Sequence, residues 1–306
     1  MTENPQLSVV VTVVDGGAAL ERCLTALASQ SGAPPTEVII PWDASLPEPA
    51  SLRQRFPGFR FLEMGVVATA REPKSHAGQH ELFDRRRAAG LEVVRGDYVA
   101  ILEDRGVPRP DWARTMVGLH QTHAAAAIGG AIENGCPSLL NWAVYFCDFG
   151  RYQLPFEAGP RPYISDVNIC YRREALQLTH VLWAGRYHET TVHWALLREG
   201  RSLWLCPEPV VDQHRGTLRL RALLKERRDW GRLFAYTRAR ESSWSRRLLL
   251  AAGTAALPFV LLARHGAARI SKGRTLMPFA KAVPIMALLL AAWSYGEFRG
   301  YLTGEP

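Results

Sequence analysis

Over its first hundred residues the chain alternates short β-branched runs with amphipathic stretches of helical period, an order that predicts a doubly wound α/β sheet. "LSVVVTVVDGG" (7–17) is an unbroken apolar run ending in Asp-Gly-Gly, the pattern of a strand buried on both faces with its exit loop. "AALERCLTALASQ" (18–30) sets Leu20, Leu24 and Leu27 at helical spacing. "TEVIIPWDAS" (36–45) and "RFLEM" (60–64) read as further strands, "QHELFDRRRAAGLEVV" (79–94) as a helix and "GDYVAILED" (96–104) as another central strand. In such sheets ligands lie outside the carboxyl ends of the strands. Asp15, Asp43 and the Glu103–Asp104 pair all fall there. No GxGxxG or GxxxxGK[ST] follows the first strand, so dinucleotide and P-loop sites are not expected.

Beyond residue 106 the periodicity is less regular. "PDWARTMVGLHQTH" reads as a helix, "AAIGGAIENG" (126–135) as a strand and "ISDVNICYRREAL" (164–176) as a strand running into a helix. Residues 185–215 read as loop, helix, glycine stop and strand. "LRLRALLKERRDWGRLFAYTR" (218–238) is a basic amphipathic helix with Leu220, Leu223, Leu224, Trp230, Leu233 and Phe234 on its expected apolar face.

The charge is unevenly divided. Residues 1–213 carry 20 Lys/Arg and 24 Asp/Glu, whereas 214–306 carry 17 and 5, so the positive excess belongs to the last third. That third is also the most apolar and lacks a zinc-finger, recognition-helix or RNP-like pattern, which favours an anionic membrane surface over nucleic acid as its partner. Its segment 248–263 has sixteen residues without a charge, about 24 Å of helix against a hydrocarbon core of about 30 Å. Segment 275–296 is longer but is interrupted by Pro278, Lys281 and Pro284, and "RHGAARISKGR" (264–274) lies between the two. Two interfacial or re-entrant segments keep the basic clusters on the cytoplasmic face; full spanning and a hairpin packed on the globular part are the alternatives. The five cysteines form no CxxC pair, which points to reduced thiols, and the N-terminus has no signal-peptide pattern. The expected organisation is a catalytic domain over 1–215, a helical linker over 216–245 and a membrane-associated hairpin over 246–306.

The order of these pieces resembles the family 2 glycosyltransferases, with the glycosyltransferase A fold, over most of the chain. "EVIIPWDAS" resembles the family's Asp-Asp-Gly-Ser strand end, with Asp43 and Ser45 kept and Trp42 and Ala44 substituted. "RRRAAGLEVVRGDYVAILEDRGVPRPDW" looks like its Ala-Arg-Asn-x-Gly helix and metal strand; Arg87 and Gly90 match, and Ala88 replaces the asparagine. Asn168 in "DVNICYRREAL" matches the family's asparagine strand, and Glu189 in "YHETTVHWALLREG" matches the catalytic acid by its distance from Gly200. The closing "AAWSYGEFRGYLTG" also resembles the C-terminal helix of some membrane-bound relatives.

The resemblance implies an inverting transferase that moves a sugar from a nucleotide-diphosphate donor, a UDP-sugar by default, to a lipid-linked or cell-envelope saccharide acceptor. Glu189 would be its general base, with the first-turn helix position as the structural alternative. Asp15, Asp43, Arg87, Glu103, Asp104 and Arg105 are the donor-site candidates, with Asp43 toward the nucleobase or on turn duty. Asn168 and His188 are candidates for the acceptor or sugar pocket. In the family an Asp-x-Asp holds a divalent metal on the diphosphate, and here its second aspartate has become Arg105. Either Glu103, Asp104 and His214 hold Mn²⁺ or Mg²⁺ with the diphosphate, or the Arg105 guanidinium itself faces the phosphates. The competing reading is a catalytically degenerate, membrane-bound binding or scaffold protein that keeps the fold.

Overall fold

The computed structural model describes residues 4–239 and 242–305. Residues 1–3, 240, 241 and 306, which fall in the three expected segments, lie outside the described residues. The chain divides into two compact units, Met1–Glu133 with Leu154–His214, and Asn134–Gln153 with Arg215–Pro306. The second unit thus takes in residues 134–153 as well as the C-terminal third.

The first unit opens with β1 (Leu7–Thr12), α1 (Gly17–Ala28), β2 (Thr36–Trp42), α2 (Ala50–Arg55), β3 (Arg60–Glu63), α3 (His76–Glu92) and β4 (Tyr98–Glu103). Then come β5 (Gly106–Pro108), α4 (Trp112–Thr122) and β6 (Ala127–Asn134). After α5 (Leu139–Asp148), which belongs to the second unit, the chain continues with β7 (Gly159–Pro160), β8 (Asn168–Arg172), α6 (Arg173–Leu178), α7 (His180–Trp183), α8 (Glu189–Arg198) and β9 (Leu203–Gln213). The strands form one sheet in the order β3-β2-β1-β4-β8-β6-β9-β5, with β7 on β9. The β3-β2-β1-β4 half is parallel, and β8 runs antiparallel to both β4 and β6. All six residues of β1 are buried, as an uninterrupted aliphatic run requires of a central strand. Leu7, Val9 and Val11 pack in one core with Leu20 and Leu24 of α1 and Trp112 and Met116 of α4.

Two features position the carboxyl edge of this sheet. The chain leaves β1 toward β2, whereas β4 lies on the other side of β1, so β1 and β4 flank a topological switch point. Their register pairs Thr12 with Glu103, which sets the two exit loops side by side. On one face, Gly90 lets α3 approach the sheet: a Cβ there would lie 2.4 Å from Val10 Cγ1 and 2.9 Å from Pro41 Cγ.

The second unit contains α5, α9 (Leu220–Ala239), α10 (Trp244–Gly253), α11 (Leu257–Lys272) and α12 (Leu276–Thr303). The buried face of α9 is Leu223, Arg227, Gly231, Ala235 and Ala239, and Phe234, expected on it, is exposed. Small residues explain the difference. A Cβ on Gly231 would meet Trp293 O, and one on Gly296 would meet Arg228 O, so α9 and α12 touch backbone to backbone. Arg227 is buried because both its terminal nitrogens donate to Asp148, at 2.6 and 2.7 Å.

The apolar run 248–263 is two helices: α10 and α11 meet at a 57° bend, with Pro258 in the first turn of α11. A proline there has no N–H to give to the preceding turn, so the break falls before it. The basic run 264–274 is not wholly outward. Arg269 is 2% exposed and donates to Gly150 O, and Lys272 donates to Arg151 O and Gln153 O. Arg264 and Arg274 keep exposed positions. Helix α12 continues through Pro278 and Pro284, and by length and composition it is apolar enough to cross a membrane, with a mean hydropathy of 1.8 over its best window. The bent α10–α11 pair passes the same test when taken together.

Candidate active site

Three strand exits and one helix start converge at the carboxyl edge. Asp104, the first residue past β4, is buried, and its carboxylate faces the β1 exit loop rather than solvent. Its Oδ2 accepts from the main-chain N–H groups of Asp15 at 3.0 Å and Gly16 at 2.6 Å. Gly16 can aim its N–H this way because its φ is 67°, a conformation that a side chain disfavours. Burial pushes the Asp104 carboxyl up to about 6, against the hydrogen bond from Gly16. The sequence Asp-Gly-Gly after β1 and the aspartate after β4 are therefore two halves of one clamp.

Arg105 lies beside it. Its Nε and Nη2 donate to Asp15 at 2.8 and 2.6 Å, a two-pronged ion pair about one-fifth exposed on the arginine side. Burial opposes the Arg105 charge, but Asp15, Glu103 and Asp104 hold its proton more tightly than usual.

Arg87 is the hub on the other side of β4. Its Nη2 lies 3.2 Å from Glu103 Oε1 and 2.8 Å from Asp166 Oδ2, and its Nη1 lies 3.8 Å from Asp84. Glu103 Oε2 also accepts from Gln213 at 3.3 Å. Asp166 in turn gives its main-chain N–H to Glu189 Oε2 at 2.7 Å. Glu189 opens α8, at the positive end of the helix. Burial first, and then the neighbouring Asp166, push the Glu189 carboxyl well above the usual carboxylate range. Beneath them Tyr171 Oη lies 2.6 Å from Tyr187 Oη and 2.8 Å from His193 Nε2, all three side chains buried. Burial lowers His193 to about 4, so this layer is neutral at pH 7.

The structure brings Arg87, Glu103 and Glu189 into one constellation, with Asp15, Asp104 and Arg105 adjoining it. It turns two other candidates inward. Asp43 is 1% exposed; its Oδ2 accepts from Arg86 Nε at 2.6 Å and its Oδ1 from Ser45 N at 2.8 Å. Arg86 completes this knot by donating to Val13 O and Ser45 Oγ. Burial raises the Asp43 carboxyl, but the bonds from Arg86 and Ser45 outweigh it and hold the group below the usual range. The expectation that Asp43 faces a nucleobase is therefore corrected: almost none of it is presented to a ligand. Asn168 is corrected for the same reason. Its Oδ1 accepts from Trp112 Nε1 at 2.9 Å and its Nδ2 donates to Ala131 O and Pro209 O, so the amide is a core strut between strands. His188 is exposed just before α8, near Asp84, whose carboxyl burial raises above its ordinary value.

Two site residues escape the sequence reading. Asp166 sits two positions before Asn168, and only the antiparallel course of β8 brings it to the end of β4. Arg86 is hidden among three consecutive arginines, whose roles depend on helix phase.

No family model and no curated protein matches the chain. Among solved structures, the mannosyltransferase PcManGT from Pyrobaculum calidifontis, in complex with GDP-Man and Mn²⁺, superposes with a TM-score of 0.57 at 15% identity. The match covers 95% of this chain and 86% of that one. At this identity the likeness shows the fold, a mixed α/β sheet of the glycosyltransferase type.

That neighbour binds Mn²⁺, so the residues here can be tested for the same fit. A divalent ion needs several oxygen or nitrogen ligands converging on one point. Among the described residues no three of His, Cys, Asp and Glu come together in that way. Asp104 points at main-chain amides, Glu103 is met by Arg87 and Gln213, and a guanidinium stands next to them at Arg105. His214 meets this turn through its main-chain N–H, which donates to Arg105 O at 2.8 Å. The set expected to hold Mn²⁺ or Mg²⁺, Glu103 with Asp104 and His214, does not form a ligand group.

Proposed function

We propose that the chain is an inverting glycosyltransferase that moves a sugar from a nucleotide-diphosphate donor to a lipid-linked or cell-envelope saccharide. The observation that supports this most is the Arg87–Asp166–Glu189 constellation at the switch point of a glycosyltransferase-type sheet. No arginine ion pair to Glu189 is among the contacts of this constellation, and Glu189 takes the proton of the acceptor hydroxyl as that oxygen attacks the anomeric carbon. With a single base and in-line attack, the leaving diphosphate departs from the opposite face and the anomeric centre inverts. Arg105 and Arg87 supply the positive charge opposite the departing diphosphate; Arg105 exchanges Asp15 for phosphate oxygens. A UDP-sugar remains the default donor.

A thermal-shift panel of nucleoside diphosphates, run in EDTA and again with Mn²⁺ or Mg²⁺, tests donor binding. At a hundred times Kd a true ligand adds about 2.7 kcal/mol of stability, a shift of several degrees. At least one nucleoside diphosphate is expected to stabilise the protein in EDTA, and Arg105→Ala to weaken it about tenfold, the worth of a charged hydrogen bond. Stabilisation that appears only with metal would show that Arg105 does not carry the phosphate contact.

The second unit is proposed to hold the protein on the cytoplasmic face of an anionic membrane. Leu249, Phe259 and Val260 on α10 and α11 and Met277 on α12 are all at least 60% exposed, more apolar surface than a solvated helix cluster presents. Removing residues 246–306 outright would strip α12 from α9, so point charges are the better probe. Leu249→Glu with Phe259→Glu is expected to cut sedimentation with vesicles containing anionic lipid several-fold, while high salt releases the wild type only in part. A wild-type protein wholly in the supernatant at low salt would contradict membrane attachment.

A further inference from the structure

Resting on the reading of Glu189 as the base, we infer that Asp166 is its positioning residue: it fixes the Glu189 carboxyl in place and sets an arginine-paired carboxylate beside it. Three contacts on separate elements define the arrangement. The main-chain N–H of Asp166 holds Glu189 Oε2 at 2.7 Å. The Asp166 carboxylate is held by Arg87 Nη2 at 2.8 Å, and the same nitrogen reaches Glu103 at 3.2 Å. The Asp166 side chain also lies close enough to Glu189 to oppose its ionisation, which burial already disfavours. Arg87 pairs directly with Asp166 and holds that carboxylate in place, while burial first and then this neighbour favour the protonated form of Glu189.

The other groups around Glu189 fit this division. Tyr171 from β8 and Tyr187 before α8 lie close enough to feel its charge, and burial keeps both phenols protonated. His193, one turn further along α8, is neutral, and His188 next to Glu189 is exposed toward Asp84. Asp84 and Glu103 act on Glu189 through their shared contact with Arg87. Asp166 is therefore the acidic residue that meets Glu189 directly, through its main-chain N–H. A base raised in this way ionises nearer neutral pH and is stronger for it, which suits removal of a proton from a hydroxyl.

The test is a titration of the Glu189 carboxyl by ¹³C NMR in the full-length, detergent-solubilised protein labelled at glutamate, with its signal assigned by loss in Glu189→Gln. The wild-type midpoint is expected well above the ordinary glutamate value of about 4.3. Asp166→Asn keeps the shape and the main-chain N–H but removes the charge, and should lower the midpoint by roughly one pH unit or more. Asp166→Glu, which keeps the charge, should restore most of it and guards against a folding defect in the asparagine variant. The rise of kcat/KM with pH should move to lower pH by the same amount in Asp166→Asn, since Glu189 must lose its proton to act. An unmoved midpoint in Asp166→Asn overturns the role of Asp166, whatever Glu189 does. Wild-type turnover in Glu189→Gln overturns the reading of Glu189 as base, and with it any catalytic part for Asp166.

Discussion

Glu189→Gln is expected to lower sugar transfer about 10²–10⁴-fold, the ordinary worth of a positioned general base, while nucleotide binding changes little. The amide fills the same space at the start of α8 and its oxygen can still accept the Asp166 N–H now made at 2.7 Å. What it cannot do is take a proton. Loss in kcat with donor affinity kept is the signature of an interaction made only in the transition state. Steady-state kinetics with donor titration reads both quantities. A variant that loses donor binding in proportion to turnover would instead make Glu189 a structural cap for α8.

The largest effect on stability is expected at Arg86. Its side chain is fully buried, and it ties the end of β2 to the end of β1 through Asp43, Ser45 and Val13 O. Arg86→Met removes three donors at once and leaves the Asp43 carboxylate buried without its counter-ion. Breaking such a pair from one side costs about 3–5 kcal/mol, or ~10 °C in the melting temperature of a unit of this size. Arg86→Met with Asp43→Leu should recover part of the loss, because no lone charge is then buried. The pair also fixes a pH dependence. Asp43 titrates below its unfolded value in the folded protein, so its contribution is present above the ordinary aspartate range near 3.9 and is lost as pH falls through the lower folded value. A single variant that melts with the wild type would show that neighbouring groups or water take over from Arg86.

The sheet was legible where burial dictates composition. β1, β2 and β4 are aliphatic runs because strands covered on both faces admit little else, and their acidic exits mark the ligand edge of a parallel sheet. Glu103, Asp104 and Arg105 could be placed for that reason. What the residues around them do could not be read, because it depends on direction and phase. Asp43 and Arg87 both suggested the donor site, yet one is folded inward onto Arg86 and the other is shared among three carboxylates. Adjacent arginines on α3 point about 100° apart, and no pattern in "RRR" says which meets which acid. Asp166 depended on an antiparallel β8, which its apolar run does not encode. In the second unit, the expected face of α9 was drawn through large apolar side chains, whereas the real contact runs through Gly231 and the two glycines of α12. Small residues pack by letting backbones approach, and a count of hydrophobic bulk does not register them.

The most direct measurement is transfer itself. A panel of labelled nucleotide sugars, presented with native membranes as the acceptor source, should lose label from one donor to the lipid-extractable or envelope fraction when wild-type protein is added. Nucleoside diphosphate should appear in equal amount, and Glu189→Gln should reduce both by at least about a hundredfold. Label that stays on every nucleotide sugar, or moves equally well with Glu189→Gln, would contradict the assignment of this edge of the sheet as a glycosyltransferase site.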